Sequence, residues 1–162
     1  MSASRILVVG IGNPDRGDDG IGPAVARRLA GRLPGDVAVV TRTGDILSLI
    51  ADWAEADALV CVDAALGEAP GRIHRLDLAT DALPLDVALV SSHGFGLAEA
   101  VELARTLGQA PRRMIVYAVE GNCFEGGAAM TPEVAEAAGL VADRVATEID
   151  RLRRETQETA HA

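Results

Sequence analysis

The apolar residues of this chain fall in short unbroken runs rather than in alternation, and that restricts the fold more than any other feature. Arg5 to Val9 reads RILVV, Asp36 to Thr41 contains VAVV, Ala58 to Asp63 reads ALVCVD, and Arg113 to Val119 reads RMIVYAV. A strand that is apolar at nearly every position has both faces covered, as in the centre of a parallel sheet. Between these runs the pattern turns helical. One helix is expected at about 20–33, closed by Pro34 and Gly35. A second is expected after Asp45 as N-cap, with Ile46, Leu49, Ile50 and Trp53 on one face. A third is expected over Gly94 to Gly108, with Leu97, Val101, Ala104 and Leu107 in one stripe. The last starts with Thr131 as N-cap and Pro132 in first position, and buries Val134, Ala138, Val141, Val145, Ile149 and Leu152. Gly71 to Leu78 reads as a less apolar edge strand, and Leu85 to Val90 as a short extended stretch before Ser91, Ser92 and His93. Strands alternating with helices predict an α/β sheet with helices on both faces, as one domain over 1–162 with a frayed tail after Arg154. In such sheets, sites form beyond the carboxyl ends of the strands, at the switch in strand order.

Composition narrows the partners. The net charge of -9 argues against nucleic acid and anionic membranes. The apolar runs are strand-sized, so no transmembrane helix is expected, and Met1 to Ser4 leaves no room for a signal peptide. Aromatics make up only 2% of residues, so the core must be built from Ala, Val, Leu and Ile. Cys61 and Cys123 form neither a disulfide framework nor a zinc knuckle. A cytoplasmic, monomeric protein is the expectation.

Three residues fall just past apolar or extended segments: Asp19, Asp63 and His93. A carboxylate at the end of ALVCVD is costly unless it faces a cavity or a partner. An imidazole at a helix entrance is kept neutral by the helix dipole, and a neutral ring suits a metal ligand or proton acceptor. Two carboxylates and one imidazole would suit a divalent first-row metal with open positions. The residues alone leave duller duties open: Asp19 capping the next helix, Asp63 serving a turn, His93 sitting in a serine-rich cap.

Other chemistries fit less well. The loop GIGNPDRGDDGIG, Gly10 to Gly22, has the strand–turn–helix setting of a dinucleotide loop, but Asp15 stands where the third glycine belongs. Asp15, Asp18 and Asp19 also oppose a pyrophosphate. A cysteine hydrolase using Cys123, in the loop EGNCFEGG, with His93 needs a stabilised thiolate for which no helix is evident. Ser91 and Ser92 lack a G-x-S-x-G elbow. His74 on the edge strand and His161 in the tail read as solvated.

Four motifs carry a family resemblance: GIGNPDRGDDGIGPAVARRL, LVCVDAALGEAPGRIHRLD, SSHGFGLAEAVELARTLG and VYAVEGNCFEGGAAMTPEV, spanning Gly10 to Val134. With these the chain resembles the [NiFe]-hydrogenase maturation proteases, endopeptidases that trim the large-subunit precursor at its C-terminus. The resemblance implies a three-layer α/β sandwich with a twisted, mostly parallel five-stranded sheet and one antiparallel strand. It implies a nickel site at Asp19, Asp63 and His93, with the nickel presented by the [NiFe]-hydrogenase large-subunit precursor, and no organic cofactor. Asp19 stands where the family often has glutamate. Either the metal polarises the scissile carbonyl or activates water, or Asp19 or Asp63 acts as general base in the manner of an aspartic peptidase. The family's D-G-G-T-like turn is TRTGDIL here, so Gly44 and Asp45 are candidates for substrate binding. Two further readings remain: a nickel-binding chaperone that grips the precursor without cutting, and a Cys123-dependent hydrolase on the same fold.

Overall fold

The computed structural model describes residues 5–43, 45–78, 88–89 and 97–160. In chain order the elements are β1 (Ile6–Ile11), a 3-10 turn (Gly17–Gly20), α1 (Ile21–Leu29), β2 (Val37–Arg42), α2 (Ile46–Trp53), β3 (Ala58–Leu66), β4 (Ile73–Asp77), β5 (Ala88–Leu89), α3 (Leu97–Thr106), β6 (Arg113–Gly121) and α4 (Pro132–Ala160). The main sheet runs β2-β1-β3-β6-β4. Its first four strands are mutually parallel, and β4 closes the edge antiparallel to β6. The expected five-stranded, mostly parallel sheet is therefore present. The less apolar β4 lies at its rim, with β5 adding a two-residue antiparallel pairing to the end of β3.

Side chains of the unbroken runs part between two cores, as the two-residue period of a strand requires. Val8, Val60, Val62, Ile115, Tyr117 and Val119 face α1 and α4. Val9, Leu59, Cys61, Met114 and Val116 face α2 and α3. The stripe foreseen on α4, from Val134 to Leu152, is buried throughout. On α3, Leu97, Val101 and Ala104 are buried, but Leu107 is not: the helix stops at Thr106 and leaves it 56% exposed. The first helix is also shorter than its pattern suggests. Gly31 takes φ +78 and the Arg32 amide turns back to the Leu29 carbonyl, so α1 closes there and not at Pro34.

Two crossovers place the site. The chain leaves β1 through α1 to β2, then returns through α2 to β3 on the opposite side of β1, which makes the β1/β3 crevice the switch point. The β1–β3 ladder ends at Gly10–Val62, whereas β3 continues beside β6 to Leu66. Beyond Val62, the β1-side edge of β3 stays open until β5 pairs at Ala65. Asp63 and Ala64 occupy that gap.

Candidate active site

The loop after β1 is shaped by close backbone approaches. Gly12 has φ +142, and a Cβ there would overlap the Asp19 carbonyl and lie 3.3 Å from Asp19 Oδ1. Gly22 lets the first turn of α1 sit directly on β1 and β3, where a Cβ would collide with Ile11 main-chain atoms and lie 2.7 Å from the Val62 oxygen. This contact brings the 3-10 turn carrying Asp18 and Asp19 over the end of the sheet.

The two adjacent acids have different partners. Asp18 is fully buried, and both its oxygens are taken. Oδ2 accepts the amides of Asn122 (3.0 Å) and Cys123 (3.1 Å), and Oδ1 accepts the amide (2.8 Å) and hydroxyl (3.0 Å) of Thr131. Its own amide donates to the Cys123 carbonyl at 2.8 Å, so Asp18 pins the loop after β6 to the loop after β1. Thr131, expected as a plain N-cap, gives its hydroxyl proton to this clasp. Asp19 is 3% exposed and accepts one hydrogen bond, from the Asn13 amide to Oδ2 at 3.1 Å. It does not cap the following helix: the N-cap of α1 is Gly20, with no side-chain bond.

Asp63 lies inside β3, since pairing with β6 carries the strand three residues past it, and so it does not serve a turn. Its Oδ1 accepts the Ala64 amide at 2.8 Å, while Oδ2 is buried without a partner. Burial pushes the Asp63 carboxyl well above its usual range; the Ala64 amide opposes the shift, and the neighbouring Asp19 charge adds to it. Asp19 is also raised by burial, against the Asn13 amide and the positive charge of Arg16. Both carboxyls are therefore desolvated, and Asp63 lies near enough to Asp19 to feel its charge. An orphaned carboxylate oxygen beside a second acid is the donor set a divalent cation fits.

The third member of the expected set, His93, lies outside the described residues, and so does Gly44. Among the described residues no three of His, Cys, Asp and Glu gather in a metal-holding group. Asp45 is exposed and works as the N-cap of α2, accepting from the Leu47 amide (3.2 Å) and the Ser48 hydroxyl (3.0 Å). Cys61 is buried in β3 among apolar side chains, where burial raises its thiol far above the range in which it ionises. Cys123 is half-buried, with both main-chain polar groups held by Asp18. His74 is not simply solvated as its edge position suggested: its Nε2 is 2.8 Å from Glu120 Oε2, a bond that is the main cause holding the Glu120 carboxyl below its ordinary range.

Sequence reasoning missed two buried acids. Asp18 stood out only as a charge opposing a pyrophosphate, and the residues it binds lie 104 to 113 positions away. Glu148, 1% exposed on the apolar stripe of α4, receives Arg75 through Nε (2.7 Å) and Nη2 (3.2 Å) and the Tyr117 hydroxyl (2.9 Å). Its signal in the sequence was a lone acid, four residues before Leu152, on the helix's inner face.

Fold and site define an α/β protein with paired, desolvated carboxyls at the switch crevice of a doubly wound sheet. A family model described as HycI, hydrogenase maturation protease, matches residues 23–148. The Hydrogenase 2 maturation protease of Escherichia coli (strain K12) is 30% identical over 135 residues, covering 80% of this chain and 81% of that protein. The hydrogenase expression/formation protein HupD of Bradyrhizobium diazoefficiens is 29% identical over 153 residues, covering 91% and 75%. The structure of the hydrogenase maturating endopeptidase HybD from E. coli matches with a TM-score of 0.73 at 26% identity, over 91% of this chain and 93% of that one. The chain belongs to the hydrogenase maturation protease family, and it is a peptidase.

Proposed function

We propose that this peptidase removes the C-terminal extension of a nickel-loaded [NiFe]-hydrogenase large-subunit precursor, with Asp19, Asp63 and His93 as the groups that meet the nickel. The observation that carries the reading is the unpartnered Oδ2 of Asp63 in a crevice shared with Asp19. The nickel belongs to the substrate: only a precursor that has received it presents the cation that two buried acids need. A cation so placed polarises the scissile carbonyl or acidifies an attacking water. Asp63, whose burial favours the protonated form, gives up its proton to ligate, and His93 contributes a neutral ring nitrogen. Asp19, anchored by Asn13 through Oδ2, keeps Oδ1 for the ligand or for a proton from water.

A second reading rests on the same coupling. Two carboxyls whose charges oppose each other can share one proton, one acting as general base toward water and the other as acid, without help from metal. The proposal further places the reaction in the cytoplasm and the chain as a monomer. No helix among the described residues is long and apolar enough to cross a membrane.

The test is to incubate nickel-loaded precursor with wild type, Asp63→Ala, His93→Ala and Cys123→Ala, and follow C-terminal trimming by mass spectrometry. The metal reading expects loss with Asp63→Ala and His93→Ala, and activity with Cys123→Ala. Trimming that survives His93→Ala but not Asp63→Ala supports the carboxyl-pair reading. Trimming that depends on Cys123 alone refutes both, and stable binding without cleavage by the wild type leaves a chaperone.

A further inference from the structure

We propose that the groove beside Asp19 is a subsite for an acidic side chain of the precursor segment flanking the scissile bond, and that Arg27 determines this specificity. The inference rests on the endopeptidase reading above and adds to it which residue of the substrate is read. The groove has a volume of about 490 Å³ and is lined by Gly12 and Pro14 from the loop after β1, Pro23 and Arg27 from α1, and the end of β2 with Thr43. Gly12 is the connection to the chemistry. It forms the groove wall and packs against Asp19 so closely that a Cβ there would lie 3.3 Å from Asp19 Oδ1.

Two arginines border the groove, and among the described residues only one has an unpaired guanidinium. Arg42 is consumed: Nε and Nη2 donate to Asp52 at 2.8 and 3.1 Å, and Nη1 donates to the Thr41 carbonyl at 2.9 Å. It stiffens the wall. The Arg27 guanidinium has neither a hydrogen bond nor an ion pair among the described residues, although the chain carries 24 acids against 15 cations and most of its arginines are paired. An unpaired guanidinium in an acidic protein is a planar five-donor fork matched to a carboxylate. The source of that carboxylate follows from reach. A peptide advances only about 3.3 Å per residue, so a groove separated from Asp19 only by Gly12 holds a residue within a few positions of the cut. That is an internal Asp or Glu, not the terminal carboxylate of a longer extension.

The experiment measures kcat and KM for trimming of nickel-loaded precursor by wild type, Arg27→Ala, Arg27→Glu and Arg28→Glu. Arg28 is the charge control, the next residue on the same helix: it lines the α1/α4 groove, which Arg27 also borders, but not the groove beside Asp19. Arg27→Glu is expected to raise KM about tenfold or more with kcat within about twofold, and Arg28→Glu to change KM less than about twofold. Neutralising one acid near the cut in the precursor should raise KM for wild type, with no additional loss in Arg27→Ala. Reversing that acid to Arg should be rescued by Arg27→Glu. Equal effects of Arg27→Glu and Arg28→Glu, an unchanged KM, or additivity at every acid overturn the inference and leave the endopeptidase reading standing. A C-terminally amidated precursor that reproduces the loss overturns the internal-acid source. Wild type that leaves the precursor uncut removes the endopeptidase reading, and the inference with it. Melting temperatures of the Arg27 variants should equal wild type, since its side chain has no partner among the described residues.

Discussion

Asp18 and Asp19 are adjacent, equally buried and chemically identical, and the structure predicts opposite consequences for losing them. In Asp18→Asn one carboxylate oxygen becomes an NH2 group. If that group faces the loop after β6, it meets the amides of Asn122 and Cys123; if it faces the other way, it meets the amide of Thr131. At least one buried donor is orphaned and the charge-assisted character of the others is lost. With about 1.5–3 kcal/mol per hydrogen bond to a charged group, the cost is about 3 kcal/mol or more. For a chain of 162 residues, that lowers the melting temperature by roughly 6–12 °C. Asp19→Asn keeps an oxygen for the single Asn13 amide and removes an acid whose charged form burial disfavours. Its stability should stay within about 1 kcal/mol of wild type, while trimming is abolished. Urea denaturation followed by circular dichroism, beside the mass-spectrometric assay, measures both. An Asp18→Asn protein as stable as wild type, or an Asp19→Asn protein that loses more than about 2 kcal/mol, would refute the division of labour.

Other perturbations follow from the same geometry. Asp63→Asn should abolish trimming yet raise stability at neutral pH by about 1–3 kcal/mol, measured by urea denaturation without nickel. The folded carboxyl is raised above its ordinary 3.8, so the stability tied to its protonated form is present below that value and lost as pH rises through the folded one. In the Asn variant that decline should be absent. Glu148→Gln should cost about 3 kcal/mol by breaking the bidentate contact with Arg75 inside the core. Burial alone would raise this acid, but Arg75 and Tyr117 outweigh it and hold it below its ordinary 4.5. The wild-type advantage should therefore be full above that value and shrink as pH falls through the lowered one. Gly22→Ala should leave little folded protein by near-ultraviolet circular dichroism, because its methyl would meet the main chain of β1 and β3 at once.

Much of this architecture was legible because unbroken apolar runs are a local consequence of two-sided burial. The four parallel strands, the rim position of β4 and the inner stripe of α4 all follow from that. What was missed depends on partners distant in sequence. Nothing near Asp63 announces that β3 continues to Leu66, since a pairing with β6, more than 50 residues away, holds it extended. Nothing beside Asp18 foretells a clasp to Asn122, Cys123 and Thr131. The end of α1 at Gly31 was masked by a stronger-looking Pro34–Gly35 pair three residues on. Of the proposed site, the burial of Asp19 and Asp63 is described, while the place of His93 falls outside the described residues.

Occupancy separates chemistry from architecture here, and burial does not. Asp18, Asp19, Asp63 and Glu148 are all 3% exposed or less. Asp18 and Glu148 have every oxygen engaged, by three amides and a hydroxyl in one case and by Arg75 and Tyr117 in the other. Those interactions return what desolvation costs, so both acids hold the fold. Among the described residues Asp19 and Asp63 each accept a single main-chain amide on one oxygen, and Asp63 Oδ2 is buried without a partner. One amide fixes the rotamer but leaves most of the desolvation uncompensated, which both raised carboxyls express. A site left in that condition gains most from a ligand bearing positive charge. Of the acids that seemed to spoil a phosphate loop, Asp18 thus forms a clasp that shapes the crevice, while Asp19 keeps a desolvation its one amide does not offset.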